Sequence, residues 1–227
     1  MNAKFHSYES GLPLAGAGAT MTDGNTPEPT KEDEMLAQLE KDGFEGMTKS
    51  LLESTDPQVR RHSAYLLGIS GNHDAIPFLV CSLRDPEKAV REQAAIALAQ
   101  LGKASVVPLI GMLRDHVWQT RYRAAEALGR IQDDRSLEPL IASLNDERDH
   151  VRYMAAKALG QIRNEYAIPF LSVLLKDENP FVRASAASSL GLIGGEKAKL
   201  GISRALETEE TPSVRKALEE ALKQVMI

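Results

Sequence analysis

A single cysteine, Cys81, stands in a chain of 227 residues, so no disulfide can form within it. That excludes the stapled scaffolds of small secreted proteins and is compatible with a reducing compartment. No apolar run approaches the 18 or so residues that a membrane-spanning helix needs. The first twenty residues carry one lysine, and Pro13, Gly16 and Gly18 interrupt their apolar stretch, which makes a poor secretory leader. There is no His-Glu dipeptide and no glycine-rich phosphate loop, because Gly194-Gly195 reads as a lone interhelical turn. A basic excess is missing too. The net charge is -5, and the first 55 residues hold four Lys/Arg against ten Asp/Glu, whereas the remainder holds 23 against 22. A nearly neutral body offers little to a phosphate backbone. These absences point to a cytoplasmic chain that works with neither membrane nor nucleic acid.

What is present is a period. Val59-Arg60, Val90-Arg91, Val151-Arg152, Val182-Arg183 and Val214-Arg215 recur through the chain, with Thr120-Arg121 filling the gap. The arginines lie 31, 30, 31, 31 and 32 residues apart. A period in this range is the signature of a stacked solenoid, in which each unit buries its apolar face only against its neighbours.

Within one period the pattern reads as two short helices. Val151, Ala155, Leu159 and Ile162 recur at three- to four-residue spacing, the apolar stripe of an amphipathic helix. Ile168-Pro169 then opens the next helix, since proline is tolerated in a first turn that needs no N–H donor. Gly68, Gly129, Gly160 and Gly191 share one place in the second helix, with Ala99 replacing glycine in one unit. The alanine argues that close backbone packing, not positive φ, is the demand there. The paired alanines Ala94-Ala95, Ala124-Ala125 and Ala155-Ala156 likewise admit a near neighbour. The predicted fold is an all-α, right-handed α-solenoid. Residues 1–29 read as a disordered tail, 30–43 as an N-cap helix, and 44–70, 71–102, 103–132, 133–163 and 164–194 as repeats. Residues 195–227 read as a degenerate capping repeat. Thr30 and Asp33 resemble a capping box, Met35, Leu36 and Leu39 face inward, and Asp42-Gly43 breaks the first helix.

The consensus D-x4-V-R-x2-A-A-x-A-L-G-x-I followed by A-I-P-x-L resembles the short HEAT-like repeats first named from phycobilisome lyases, over roughly residues 45–227. Such proteins include adaptors and assembly subunits, bilin lyase subunits and a di-iron hydroxylase that uses His-Glu steps. The resemblance implies that the second helix of each pair lines a concave groove. Asp85, Asp115, Asp146 and Asp177 each stand six residues before Arg91, Arg121, Arg152 and Arg183, and each arginine can reach an aspartate of its own or of the next repeat. The resemblance implies that they form an inter-repeat ladder. A pair present in every unit is architecture, not catalysis. The histidines occupy unrelated positions in the repeats, and Cys81 reads as a small buried filler, so no metal, cofactor or catalytic residue is expected.

Function should reside where the repeats disagree. Positions one, two, five and nine after the ladder arginine lie off the apolar stripe. Among them Arg61, Tyr65, Gln93, Tyr122, Arg123, Glu126, Arg130, Tyr153, Met154 and Lys157 bring rings, arginine and methionine together, with Trp118 at the edge beside Tyr122. Protein-binding hot spots favour this composition. The expected role is a non-enzymatic scaffold, adaptor or assembly subunit that holds a partner protein in its groove, itself monomeric or one subunit of a larger complex. A bilin lyase-like, tetrapyrrole-handling subunit is the alternative, with a flat ligand stacked on Tyr122, Trp118 and Tyr153 and a propionate on Arg123 or Arg130.

Overall fold

The computed structural model describes residues 30–225. The tail read over residues 1–29 lies outside them, as do the Asp33 and Leu36 side chains. The described residues form twelve α-helices and no strand. Helix α1 (Lys31–Glu53) bends sharply at Gly43 (φ 66°, ψ -166°), where the sequence predicts a break. Its second half packs with α2 (Pro57–Ile69) as the first hairpin. Four hairpins of one design follow: α3 (Ile76–Ser82) with α4 (Lys88–Gln100), α5 (Val106–Met112) with α6 (Trp118–Ile131), α7 (Leu137–Ser143) with α8 (Asp149–Ile162), and α9 (Ile168–Leu174) with α10 (Pro180–Ile193). Helices α11 (Gly195–Thr208) and α12 (Pro212–Val225) close the array, and α12 leaves Lys216, Glu219, Glu220 and Lys223 exposed.

Each hairpin contributes a leucine from either helix to one continuous core. Leu79 and Leu98, Leu109 and Leu128, Leu140 and Leu159, and Leu171 and Leu190 are all fully buried. Burying a leucine contributes roughly 1.5–3 kcal/mol, so this row is the main driving force of the stack. A short 3-10 turn leads into each of α3, α5, α7 and α9, an element the sequence reading does not resolve. Asn72, Asp133 and Asn164 start three of these turns by accepting the backbone N–H two residues on.

The longer helices α2, α4, α6, α8, α10 and α12 pack on one another in series, whereas the shorter helices touch each other sparsely. The array therefore curves with the longer helices on its inner side. Gly129 shows what sets their spacing. A Cβ built there would lie 2.8 Å from both Cα and Cβ of Ala158 on the next inner helix. Gly68, Gly160 and Gly191 meet Ala97, Ser189 and Ala221 in the same way. Ala99 adds a methyl at the equivalent place on α4, and α4 and α6 are the loosest pair of neighbouring inner helices.

A second row repeats every 30 or 31 residues: Gly71, Gly102, Gln132, Arg163 and Gly194 all have positive φ. They stand just past the inner helices, where a left-handed residue lets the last carbonyls find partners. Gln132 (φ 57°) and Arg163 (φ 59°) do this without being glycine. The Gln132 side chain adds a hydrogen bond, its amide nitrogen donating to the Gln161 carbonyl at 2.8 Å.

Candidate functional site: the inner helical face

The inner face is bordered on one side by the turns that carry the ladder. Arg152 shows its chemistry. Nε and Nη2 grip both oxygens of Asp177 at 2.8 and 3.1 Å, while Nη1 donates to the Asp146 carbonyl at 2.9 Å. The guanidinium thus joins the main chain of its own repeat to the carboxylate of the next, the bidentate geometry arginine is shaped for. Arg60 with Asp85 (2.7 and 2.9 Å) and Arg121 with Asp146 (2.6 and 2.8 Å) repeat the arrangement. Arg183 does so with Glu209, at 2.7 and 3.0 Å. The hydrogen bonds from Arg183 and from Thr211 hold the Glu209 carboxyl at about 2. Each ladder aspartate also accepts the N–H two residues on, at Glu87, Val117, Arg148 and Asn179, and so shapes the turn before the helix.

The structure decides between the two partners open to each ladder arginine. The aspartate six residues before each arginine meets it through its backbone carbonyl, and the side-chain partner belongs to the following repeat. One rung is also absent. Asp115 takes Arg84 instead of Arg91, through Nε and Nη2. Arg91 keeps two carbonyl bonds, to Asp85 and Pro86 at 2.6 and 2.7 Å, and has no carboxylate partner among the described residues. Burial and the nearby Arg123 charge lower its pKa. Arg60 and Glu209 complete the ladder. Glu209 was legible in advance, because it precedes Arg215 by the same six residues.

Inner-face residues form a one-helical-turn stripe on each long helix. On α6 it runs Gln119, Tyr122, Glu126, Arg130, and on α8 His150, Tyr153, Lys157, Gln161. Arg61 and Tyr65 hold the corresponding places on α2. The position two after the ladder arginine does not belong to it. Gln93, Arg123 and Met154, expected on the surface of the groove, are buried, with 6, 7 and 4% of their surface exposed. That azimuth points at the preceding inner helix, as Arg123 on Glu92 (3.0 Å) and Ser185 on the Tyr153 carbonyl (3.0 Å) show. The position two before the arginine takes its place on the stripe. It brings in His150 and Phe181, which the sequence reading missed although their one-turn spacing from Tyr153 and Ala184 was a usable signal.

At the centre, Arg123 lies between Glu92 and Glu126 with its guanidinium carbon 5.4 Å from the Tyr122 ring centroid. Glu126 also accepts from Arg130 at 3.3 Å. Tyr122 and Tyr153 sit half-buried side by side; burial pushes the Tyr122 phenol up to about 12, with the Glu126 charge adding to it, and raises Tyr153 as well. Trp118 opens α6 and packs on His150 of α8 at 5.1 Å between centroids, on the ladder side of the face.

Comparison with known proteins accords with this architecture. Residues 81–152 and 137–223 match the family model for HEAT repeats. The chain belongs to the HEAT-repeat family. Among solved structures this HEAT-repeat protein is similar to the complex of CpcE and CpcF of phycocyanin lyase from Nostoc sp. PCC7120, at 23% identity and a TM-score of 0.62, over 66% of this chain and 99% of that one. It is also similar to YibA of Escherichia coli, at 22% identity and a TM-score of 0.60, over 89% and 80% of the two chains. A designed armadillo repeat protein in complex with the peptide (KR)4 gives 20% identity and a TM-score of 0.53, over 79% and 98%. At such identities the likeness is one of fold. Comparison with curated proteins gives no match.

No group of three or more His, Cys, Asp or Glu among the described residues is placed to hold a metal ion. No described helix is long and apolar enough to cross a membrane. Cys81, expected as a buried filler, is exposed on α3. It occupies the outer position that Gly111, Ala142 and Val173 hold in the other repeats, and that position faces away from the core.

Proposed function

We propose that this HEAT-repeat protein is a scaffold that holds a segment of another protein against the inner face, with Tyr122 and Tyr153 as its anchors. The observation that carries the reading is the pair of half-buried tyrosines on adjacent inner helices, which the absence of a side chain at Gly129 lets approach closely at Ala158. Rigid amphipathic rings lose little side-chain entropy on contact, and a preformed surface needs no ordering of its own. Tyr122 lies against Arg123, whose guanidinium is held by Glu92 and Glu126, so its support does not depend on a ligand. The resemblance to a lyase complex extends to the fold and does not bring lyase chemistry to these residues.

A photo-crosslinking residue at Gln119, on the inner face, should capture partner protein in the source cell, whereas one at Gly111, on the outer face, should capture little. The double variant Tyr122→Ala/Tyr153→Ala should lose that capture while keeping its helical signal. Equal capture from both faces, or capture indifferent to the double variant, would sink the reading.

A further inference from the structure

The inner face carries the opposite sign to the whole molecule. The chain has a net charge of -5. The cluster and stripe residues on α2, α4, α6 and α8 nevertheless set four cations, Arg61, Arg123, Arg130 and Lys157, against two carboxylates, Glu92 and Glu126. Both carboxylates are already committed. Arg123 is buried and bonded to both, and Glu126 uses its other oxygen on Arg130. A buried guanidinium stripped of its counter-charge is strongly unfavourable, so neither glutamate is free to meet a basic ligand.

The cations are in a different state. Lys157 is exposed and has no ion pair among the described residues. Arg130, with 47% of its side chain exposed, has only the long contact to Glu126. The Arg61 Nε is buried with no hydrogen-bond partner. On α12 the stripe pair Lys216 and Glu220 lie 3.8 Å apart and neutralise each other, so the excess is confined to the earlier repeats. Next to it, α10 presents an uncharged strip of Phe181, Ala184, Ser188 and Leu192, in which Phe181 and Leu192 are 46 and 39% exposed.

From this charge arrangement we infer that the segment bound on the inner face is acidic, with carboxylates over Arg130 and Lys157 and an apolar stretch over α10. The inference rests on the scaffold reading and specifies the partner's chemistry. Short-range complementarity selects such a segment. The negative charge elsewhere on the molecule disfavours acidic chains that lack the apolar stretch, since they gain nothing from α10.

Random peptides displayed on phage and selected on the full chain test it, because no choice of ligand is made beforehand. Enriched peptides should be acidic with an apolar run. Synthesised and followed by fluorescence anisotropy, they should bind about tenfold more weakly to the double variant Arg130→Gln/Lys157→Gln, and more weakly as salt rises. Lys157 is unpaired and Arg130 exposed, so the variant should melt like the parent in circular dichroism. Enrichment of basic peptides, or affinities unchanged in the variant, would overturn the inference and leave the scaffold reading standing. A selection that enriches nothing beyond an unrelated immobilised protein would overturn both.

Discussion

Adding one methyl group to Gly129 should loosen the solenoid at its third junction. The new Cβ would lie 2.8 Å from Ala158 Cα and Cβ, against an ordinary contact that begins near 3.4 Å. Helices α6 and α8 must therefore part by about 0.6 Å, because the obstacle is main chain and cannot rotate away. A gap of that size forfeits roughly a quarter to a half of the dispersion attraction of each atom pair facing it. Overpacking of this kind costs about 1–3 kcal/mol, and an unyielding backbone places Gly129→Ala at the upper end. Helix propensity acts the other way and contributes about 1 kcal/mol in favour of alanine. Packing wins, with a net loss of about 2 kcal/mol. Gly111→Ala is the control. Nothing lies within 4 Å of its Cβ position on the short outer helix α5, so propensity acts alone and the variant should gain about 0.5 kcal/mol. Urea denaturation followed by circular dichroism gives both numbers, and amide hydrogen exchange should place the loss in α6 and α8. A Gly129→Ala variant as stable as its parent, or more so, would refute the close-packing argument. Ala99 provides a natural comparison, since it holds such a methyl where the inner helices are loosest.

Other predictions follow from the ladder and the turns. Arg152→Ala leaves the Asp177 carboxylate, 9% exposed, without its partner and should cost about 3 kcal/mol in chemical denaturation. Arg148→Ala, whose 3.8 Å pair with Glu147 is well exposed, should change stability by less than about 0.5 kcal/mol. Glu209 is depressed in the folded state, so its contribution is fully present above the ordinary carboxylate pKa of 4.5 and is lost as pH falls from there to about 2. Hydrogen exchange in α12 should accelerate across that window, and Glu209→Gln should flatten the response while weakening α12 at neutral pH. Arg163→Gly relieves a left-handed non-glycine residue and should raise the melting midpoint, by about 1 kcal/mol in stability.

Much of the fold was legible because solenoid contacts are local. Each repeat packs on its neighbours, so the helix-period stripe, the Pro that opens α3 and α9, and the shared glycine position could be read one repeat at a time. The left-handed row was harder to see, since Gln132 and Arg163 hide a position that glycine marks at 71, 102 and 194. The missing rung at Arg91 was hidden for another reason. Its aspartate is taken by Arg84, and only the spacing between repeats decides which of two arginines arrives. On the inner face, the one-turn stripe through Tyr122 and Tyr153 was readable. The burial of Gln93, Arg123 and Met154 was not, because it depends on how each helix is rotated against the one before it.

The sequence by itself therefore determined the period, the hairpin, the close-packed glycine places and the residues available to each helix face, all of them consequences of local geometry. Only the tertiary structure decided which carboxylate each arginine takes and which variable side chains reach solvent. It also decided that the inner face of an acidic protein is left with uncompensated positive charge. Those outcomes depend on the separation and rotation between successive helices, which a one-dimensional repeat does not specify.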